Sequence, residues 1–504
     1  MYVKIIGDTS IKDFTFESNN RIKFGEYVLA KNIDNDDILA VVKDVKLTNE
    51  KFICTAKVIG TLKDNKIEIN KSPISPECGV KLCDDKILNK IFYVQRGLNI
   101  GSIVSRKNIR VYLDTNKLVS RHFAILSVTG GGKSNTVAVL CKEFGKKNGS
   151  VVILDPHGEY ATLYHEELEK KVKAIHPTIN PAILSPEELA DIIGLGNNDK
   201  EINKKRVFLE YAYHTIKKEF PGLSGMDFIE KLGELLYEWV KLAEVGWEIK
   251  YYHPLKRKYD MRKTGEDDFI NLVSLYDKVS KFKEDFSLNI GNKDIIEEFE
   301  IGKINVVNLS GLEIHQMITF VSYIAKNLLS KRILYIKSLR DLNHPNEMIK
   351  TNAIKNLNNI ETHYKIATKP VVLIVEEAHI FIPINENTSA SLWLGKIARE
   401  GRKFGVGLGL VSQRPKQLHP DVLSQTNTKI ILRIVEPEDQ KYIQRASEEL
   451  GEDLVKDLAS LGIGEAIVVG IAIPLPSIVK IDRFDGIYGG KDIDIVGEWM
   501  GMNW

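Results

Sequence analysis

The segment Ser127-Val128-Thr129-Gly130-Gly131-Gly132-Lys133-Ser134 has the residues a phosphate cradle needs. Consecutive glycines let the backbone curl until its N–H groups point inward at phosphate oxygens. An apolar run over 123–128 precedes the turn and a helical pattern over 134–144 follows it, so the positive end of a helix dipole faces the same point. In that setting Lys133 reaches the β- and γ-phosphates of ATP and the Ser134 hydroxyl ligates Mg2+. Gly130, Gly131, Gly132 and Asn135 complete the expected nucleotide contacts. Ser127 stands where the general pattern has its first glycine; a small side chain fits there, at the strand end.

Hydrolysis needs a positioned water as well as a cradle. Residues 371–379 read Val-Val-Leu-Ile-Val-Glu-Glu-Ala-His, an apolar strand ending in two acids, and such a strand is expected beside the cradle strand. Glu376 would support the Mg2+ shell, at a position where most such strands carry Asp. Glu377 would orient or deprotonate the attacking water. The bland alternative is two solvated acids at a strand end. His379 reads as a hydrogen-bonded strand-end histidine rather than a metal ligand. Gln413, in Ser412-Gln413-Arg414-Pro415 after a strand over 405–411, is placed to sense the γ-phosphate, or merely to cap its strand. Arg402, in Arg399-Glu400-Gly401-Arg402-Lys403, ends a helix next to a glycine. Where an active site lies between subunits, such an arginine reaches a neighbour's γ-phosphate; Arg402 fits better than Arg399. Cations that only offset the helix dipole are the alternative.

The elements that must position these groups can be read from patterning. A chain of 504 residues allows about three domains. Its 70 Lys and Arg against 68 Asp and Glu leave a net charge of +2, so any nucleic-acid contact must come from local basic loops or a pore lining. Cys54, Cys78, Cys83 and Cys141 lack metal-ligand spacing and read as reduced thiols of a cytoplasmic protein. No signal peptide is visible and no apolar run approaches the roughly 18 residues of a membrane span. Short β-branched runs over 28–30, 38–47, 52–62 and 66–69 suggest a small barrel or sandwich. From residue 121 strands alternate with helices, the mark of a parallel α/β sheet. A charged, helical block over 185–300 interrupts it; Phe228, Leu232, Leu235, Leu236, Trp239 and Leu242 form one apolar stripe there. The basic stretch Lys256-Arg257-Lys258…Arg262-Lys263 in the same block reads as a solvated loop or as a contact to DNA or a partner. Strands resume at 304–309, 371–375, 405–411, 430–434 and 466–469, with helices over 314–334 and 392–402.

Taken in chain order, Arg121-His122-Phe123, the glycine turn, Asp155-Pro156-His157-Gly158-Glu159-Tyr160, Glu376-Glu377-Ala378-His379, Arg399-Glu400-Gly401-Arg402-Lys403 and Ser412-Gln413-Arg414-Pro415 resemble the HerA family within the HerA/FtsK group of P-loop motors. The resemblance covers nearly the whole chain. It implies an α/β fold: a RecA-like P-loop ATPase core in two parts (106–185 and 301–485), an N-terminal small β-barrel (1–105, HAS-barrel-like), a helical insertion (186–300) and a C-terminal tail (486–504). It further implies a homo-hexameric ring that translocates double-stranded DNA and cooperates, through the barrel, with a NurA-like nuclease in end resection and recombinational repair. Lys133, Ser134, Glu377, Gln413 and Arg402 take the roles given above, and Arg121 is the family's additional arginine near the nucleotide. Asp155, His157 and Glu159 would lie close to the site. The loops over 383–389 and 414–416 are pore candidates, and the tail ending Trp499-Met500-Gly501-Met502-Asn503-Trp504 would clasp a neighbouring subunit. Two rivals share the core: a ring that scaffolds an effector in antiviral defence, and a secretion or conjugation motor.

Overall fold

The computed structural model describes residues 4–489 except 49, 65, 196–199 and 448, together with 495, 499 and 500. Of the expected tail, residues 490–494, 496–498 and 501–504 lie outside the described residues.

Apolar alternation builds the first sheet. Phe14 and Phe16 on Asp13–Ser18, Ile38 and Ala40 on Asp37–Thr48, and Cys54 and Ala56 on Lys51–Lys63 point to a common interior. The pairing is antiparallel throughout, and a bridge between Lys4 and Gly79 brings the two edges of this sheet together. Joining the edges removes the unpaired backbone an open sheet would present. Lys4–Ile6 and Asp13–Ser18 are strands of this barrel that patterning did not signal.

The second sheet runs Val172–Ile175, Ile304–Asn308, Ser150–Asp155, Val371–Val375, Val406–Ser412, Phe123–Leu126, Thr428–Ile431, Glu465–Gly470, Ser477–Ile481, Leu98–Ile103, Arg110–Leu113. From Val172–Ile175 to Thr428–Ile431 all neighbours are parallel; beyond that they are antiparallel. Its central strands are buried on both faces, which is why they read as continuous apolar runs. Ala124, Leu126, Leu373 and Val375 pack on the side that carries the insertion, while Phe123, Ile125, Val372 and Ile374 pack on the helix Lys133–Lys146 side. Leu98–Ile103 already belongs to this sheet, ahead of the boundary expected at residue 105.

One expectation about strand order is corrected. The acid strand Val371–Val375 does not lie beside the cradle strand Phe123–Leu126; Val406–Ser412 runs between them, parallel to both. Sequence spacing cannot reveal this, because a helical crossover can return the chain to either side of a strand.

The insertion is largely helical, with Lys200–Glu219, Gly225–Glu244 and Glu266–Asp285 as its long helices. The stripe on Gly225–Glu244 buries Phe228, Leu232, Leu236 and Trp239 and half-buries Leu235 and Leu242, against the core of the same cluster. The basic stretch belongs to an antiparallel hairpin of Glu248–His253 with Lys258–Lys263; Lys256 and Arg257 lie in the turn that joins them, and Lys258, Arg262 and Lys263 on its second strand.

Candidate active site

The strand Phe123–Leu126 delivers the chain into the glycine turn, and the helix Lys133–Lys146 leaves it. Gly130 and Gly132 hold φ of 76° and 104°, values that a side chain would make costly. A side chain at Gly131 would collide with Ser127 Oγ, which itself donates to Val128 O at 2.6 Å. No side chain caps the helix that starts at Lys133, so its first N–H groups face the turn.

Three strands converge on this turn. Glu376 and Glu377, at the end of Val371–Val375, are both 3 % exposed. Lys133 Nζ donates to Glu377 Oε1 and lies 3.4 Å from Glu376 Oε2. Burial alone would lower the Lys133 pKa, but the two carboxylates raise it. Burial pushes the Glu376 carboxyl up to about 7, against the pull of Lys133 and of a hydrogen bond from Tyr160 Oη at 2.5 Å. Glu377 adopts φ 46°, ψ 44°, a left-handed conformation uncommon for a non-glycine residue. Its Oε2 is buried without a hydrogen bond, although His379 Nδ1 is 3.3 Å away. His379 Nδ1 pairs instead with Ser412 Oγ at 3.2 Å. From the intervening strand, Gln413 Oε1 accepts from Thr129 Oγ1 at 2.7 Å, which ties it directly to the cradle.

The other sequence-derived candidates fall in two groups. Asp155 accepts from the N–H groups of Gly158 (2.9 Å) and Tyr160 (2.8 Å), so it shapes the loop that presents Tyr160 to Glu376. His157 Nε2 is 4.0 Å from Glu377 Oε1, and Glu159 accepts from Gly489 N through its carbonyl at 2.7 Å. Asn135 turns away from the cradle: its Nδ2 donates to Asp482 O and its Oδ1 accepts from Phe484 N, both at 2.8 Å. Its side chain straps the segment after Ser477–Ile481 onto the helix, which leaves its backbone N–H, in the first turn, as the group that could face nucleotide.

Arg121 and Arg402 lie at the other end of the sheet. Arg121 precedes the strand whose far end carries the glycine turn, and Arg402 precedes the strand whose far end carries Gln413. The register Phe123↔Gly409 to Leu126↔Ser412 puts both starts on one edge. Six steps from Val406 to Ser412 span about 20 Å at roughly 3.3 Å each. Buried His122 joins the two arginine segments: its Nδ1 accepts from Leu408 N at 3.0 Å and its Cε1 would touch a Cβ on Gly401 at 3.5 Å. Burial lowers its pKa to about 4, so it is neutral at pH 7. Arg402 is exposed, and neither arginine forms an ion pair among the described residues. Thr129, Tyr160 and Ser412 are site residues that sequence reasoning did not single out; Tyr160 closes the Asp-Pro-His-Gly-Glu-Tyr segment and could have been found there.

Residues 98–328 match the family model described as Helicase HerA, central domain; 366–482 match Helicase HerA-like C-terminal, and 2–64 the HAS barrel domain. A protein of Methanocaldococcus jannaschii named probable DNA double-strand break repair helicase HerA is 68% identical over 504 residues, all of both chains. The DNA double-strand break repair helicase HerA of Pyrococcus furiosus is 36% identical over 98% of this chain and 96% of its own. The chain belongs to the HerA family of helicases. Like the family it is an ATP-hydrolysing P-loop enzyme, with an α/β core behind a barrel. Among solved structures it is similar to VirB4 of Thermoanaerobacter pseudethanolicus (TM-score 0.49, 16% identity, 78% of this chain and 98% of that one). It is also similar to the plasmid coupling protein TrwB in complex with ADP and Mg2+ (TM-score 0.49, 14% identity, 81% and 94%). No helix among the described residues is long and apolar enough to cross a membrane.

Proposed function

We propose that the chain is a cytoplasmic, ATP-driven motor on double-stranded DNA that works as a closed homo-hexameric ring and processes broken ends with a NurA-like nuclease docked on its barrel. One observation supports the ring most directly. Arg402 and Arg121 stand at the sheet edge opposite Lys133, beyond reach of their own cradle, so they are free to serve the cradle of an adjacent subunit.

In this reading Lys133 swings from the two carboxylates onto the β- and γ-phosphates, and the backbone of 129–134 encloses them. Ser134 and Glu376 would hold Mg2+; the donor set fits, since Glu376 Oε2 already faces a cation at the turn. The metal, when bound, neutralises charge on the phosphate oxygens. Glu377 accepts the proton of the attacking water through the oxygen that has no hydrogen bond, and its left-handed backbone aims that carboxylate. Gln413, linked to Thr129, senses the γ-phosphate, and Arg402 of the next subunit stabilises the charge that develops there, with Arg121 close by. The loop over 383–389 is tied to the residue just after 414–416, Ile384 N donating to Gln417 O at 2.9 Å, which brings the two candidate pore loops together as a ridge suited to gripping a backbone. Relatives named for double-strand break repair support that setting for the motor.

The deciding experiment is Arg402→Ala. The variant should bind ATP as the parent does and lose turnover by about 10³-fold or more. Turnover near the parent's would reject the shared seam. Linear duplex should stimulate the parent's hydrolysis, and a stimulated protein that stays monomeric by mass measurement would reject the ring.

A further inference from the structure

The hairpin inside the insertion is not used by the nucleotide site. Its strands pair from Glu248↔Lys263 to His253↔Lys258, and it joins neither large sheet. The pleat divides its side chains into two sets. Ile249 and Tyr251 face the helix Lys200–Glu219 and are buried, with Tyr251 stacked on Tyr211 at 4.0 Å. Glu248, Lys250, Tyr252, Tyr259, Met261 and Lys263 make up the opposite face. There Tyr252 and Tyr259 meet edge to face at 5.6 Å. Lys250 Nζ lies 4.6 Å from the Tyr259 ring centre, and Lys218, on the adjoining helix, 5.7 Å from that of Tyr252. The rings brace these lysines without neutralising them.

The tip is more basic still. Lys256, Arg257 and Lys258 are all exposed. Arg257 holds φ 51°, where glycine or asparagine is the residue of low strain. A strained position that keeps a long cation suggests that the cation is used. Across 248–263 six Lys and Arg face two acids, in a chain whose net charge is only +2. Of the nearby carboxylates, Asp260 pairs with Lys256 at 2.6 Å, Asp268 with Arg262 at 2.8 Å, and Glu219 accepts from Tyr259 Oη at 3.2 Å, while Glu248 stands across from Lys263 without an ion pair among the described residues. Lys218, Lys250, Arg257, Lys258 and Lys263 form no ion pair among the described residues.

We propose that this hairpin is a DNA-contact surface in its own right, gripping the phosphate backbone of a duplex apart from the pore loops. It rests on the reading of the chain as a DNA motor. Exposed cations of this kind bind phosphate without reading sequence, and each phosphate they neutralise releases counterions.

The test uses full-length protein, a short fluorescent blunt duplex and a salt series. In the triple variant Arg257→Glu, Lys258→Glu, Lys263→Glu, affinity should fall roughly tenfold or more, and the slope of log K against log salt should shrink by about 2.7, at about 0.9 for every phosphate no longer neutralised. Hydrolysis without DNA should stay at the parent's rate, since none of the three belongs to the nucleotide site. Arg257→Gly separates charge from folding: glycine suits the turn, so thermal stability holds or rises while the slope still drops by about 0.9. Curves that superimpose on the parent's would overturn the proposal and leave the hairpin to an acidic protein partner or to none. A parent that binds no duplex at all would refute the DNA reading first, and the hairpin proposal with it.

Discussion

If ATP is hydrolysed at a seam, two dead proteins can rescue each other. Lys133→Ala removes the cradle's cation, and Arg402→Ala removes the group lent to the next subunit. The two residues sit at opposite ends of parallel strands about 20 Å apart, too far for one chain's arginine to reach its own cradle. Each variant alone should retain under about 1% of parental turnover. In rings assembled from an equal mixture, a seam is intact only when an Arg402→Ala subunit supplies Lys133 and a Lys133→Ala subunit supplies Arg402. Random assembly makes about a quarter of the seams intact. The assay is steady-state phosphate release by mixed rings, obtained by co-expression with two tags and tandem purification. Turnover should rise to as much as about a quarter of the parent's. A mixture no faster than the average of the two variants would refute the shared seam and return Arg402 to a structural role at its helix end.

Other outcomes follow from single contacts. Glu377→Gln should bind ATP but lose turnover by about 10²- to 10⁴-fold, read by comparing nucleotide affinity with phosphate release. Tyr160→Phe removes a hydrogen bond that favours the charged Glu376; its pKa should rise above about 7, moving the acid limb of the pH–rate profile to higher pH, with turnover lost near neutrality and regained in base. Gly131→Ala drives a methyl into Ser127 Oγ and should weaken nucleotide binding at least about tenfold, and Ser127→Gly in the same chain should restore it, as titration with a fluorescent nucleotide would show. Trp239→Ala, at 1 % exposure in the insertion, should cost about 3–5 kcal/mol in denaturant unfolding while leaving residual nucleotide affinity intact.

The cradle and the acid strand were legible because local chemistry dictates them. Val371–Val375 has the bounds its apolar run implies, since burial on both faces leaves no polar residue to blur its ends. Ser477–Ile481 and the hairpin Glu248–His253 with Lys258–Lys263 were missed for the opposite reason: an exposed face admits lysines, and alternation over so few residues resembles a solvated loop. Order within the sheet was not legible, which is why Val406–Ser412 was not foreseen between the cradle and acid strands. The direction of the Asn135 side chain was not legible either, because proximity in sequence is not direction: one step past Ser134 on a helix, it already points to Asp482 and Phe484. The meeting of Arg121, His122 and Gly401 brings together residues far apart in the chain, and only parallel register makes them neighbours.

The strand Val406–Ser412, buried along its whole length, carries at one end the glutamine that touches its own cradle through Thr129 and begins, at the other, beside an exposed arginine. In the proposed ring it acts as a pushrod between consecutive cylinders of an engine. There a γ-phosphate that displaced Gln413 would shift the base on which Arg402 stands, and the nucleotide in one subunit would set the timing of the next. Firing order around the ring would then be wired through a seven-residue rod of backbone, with no separate signalling element required.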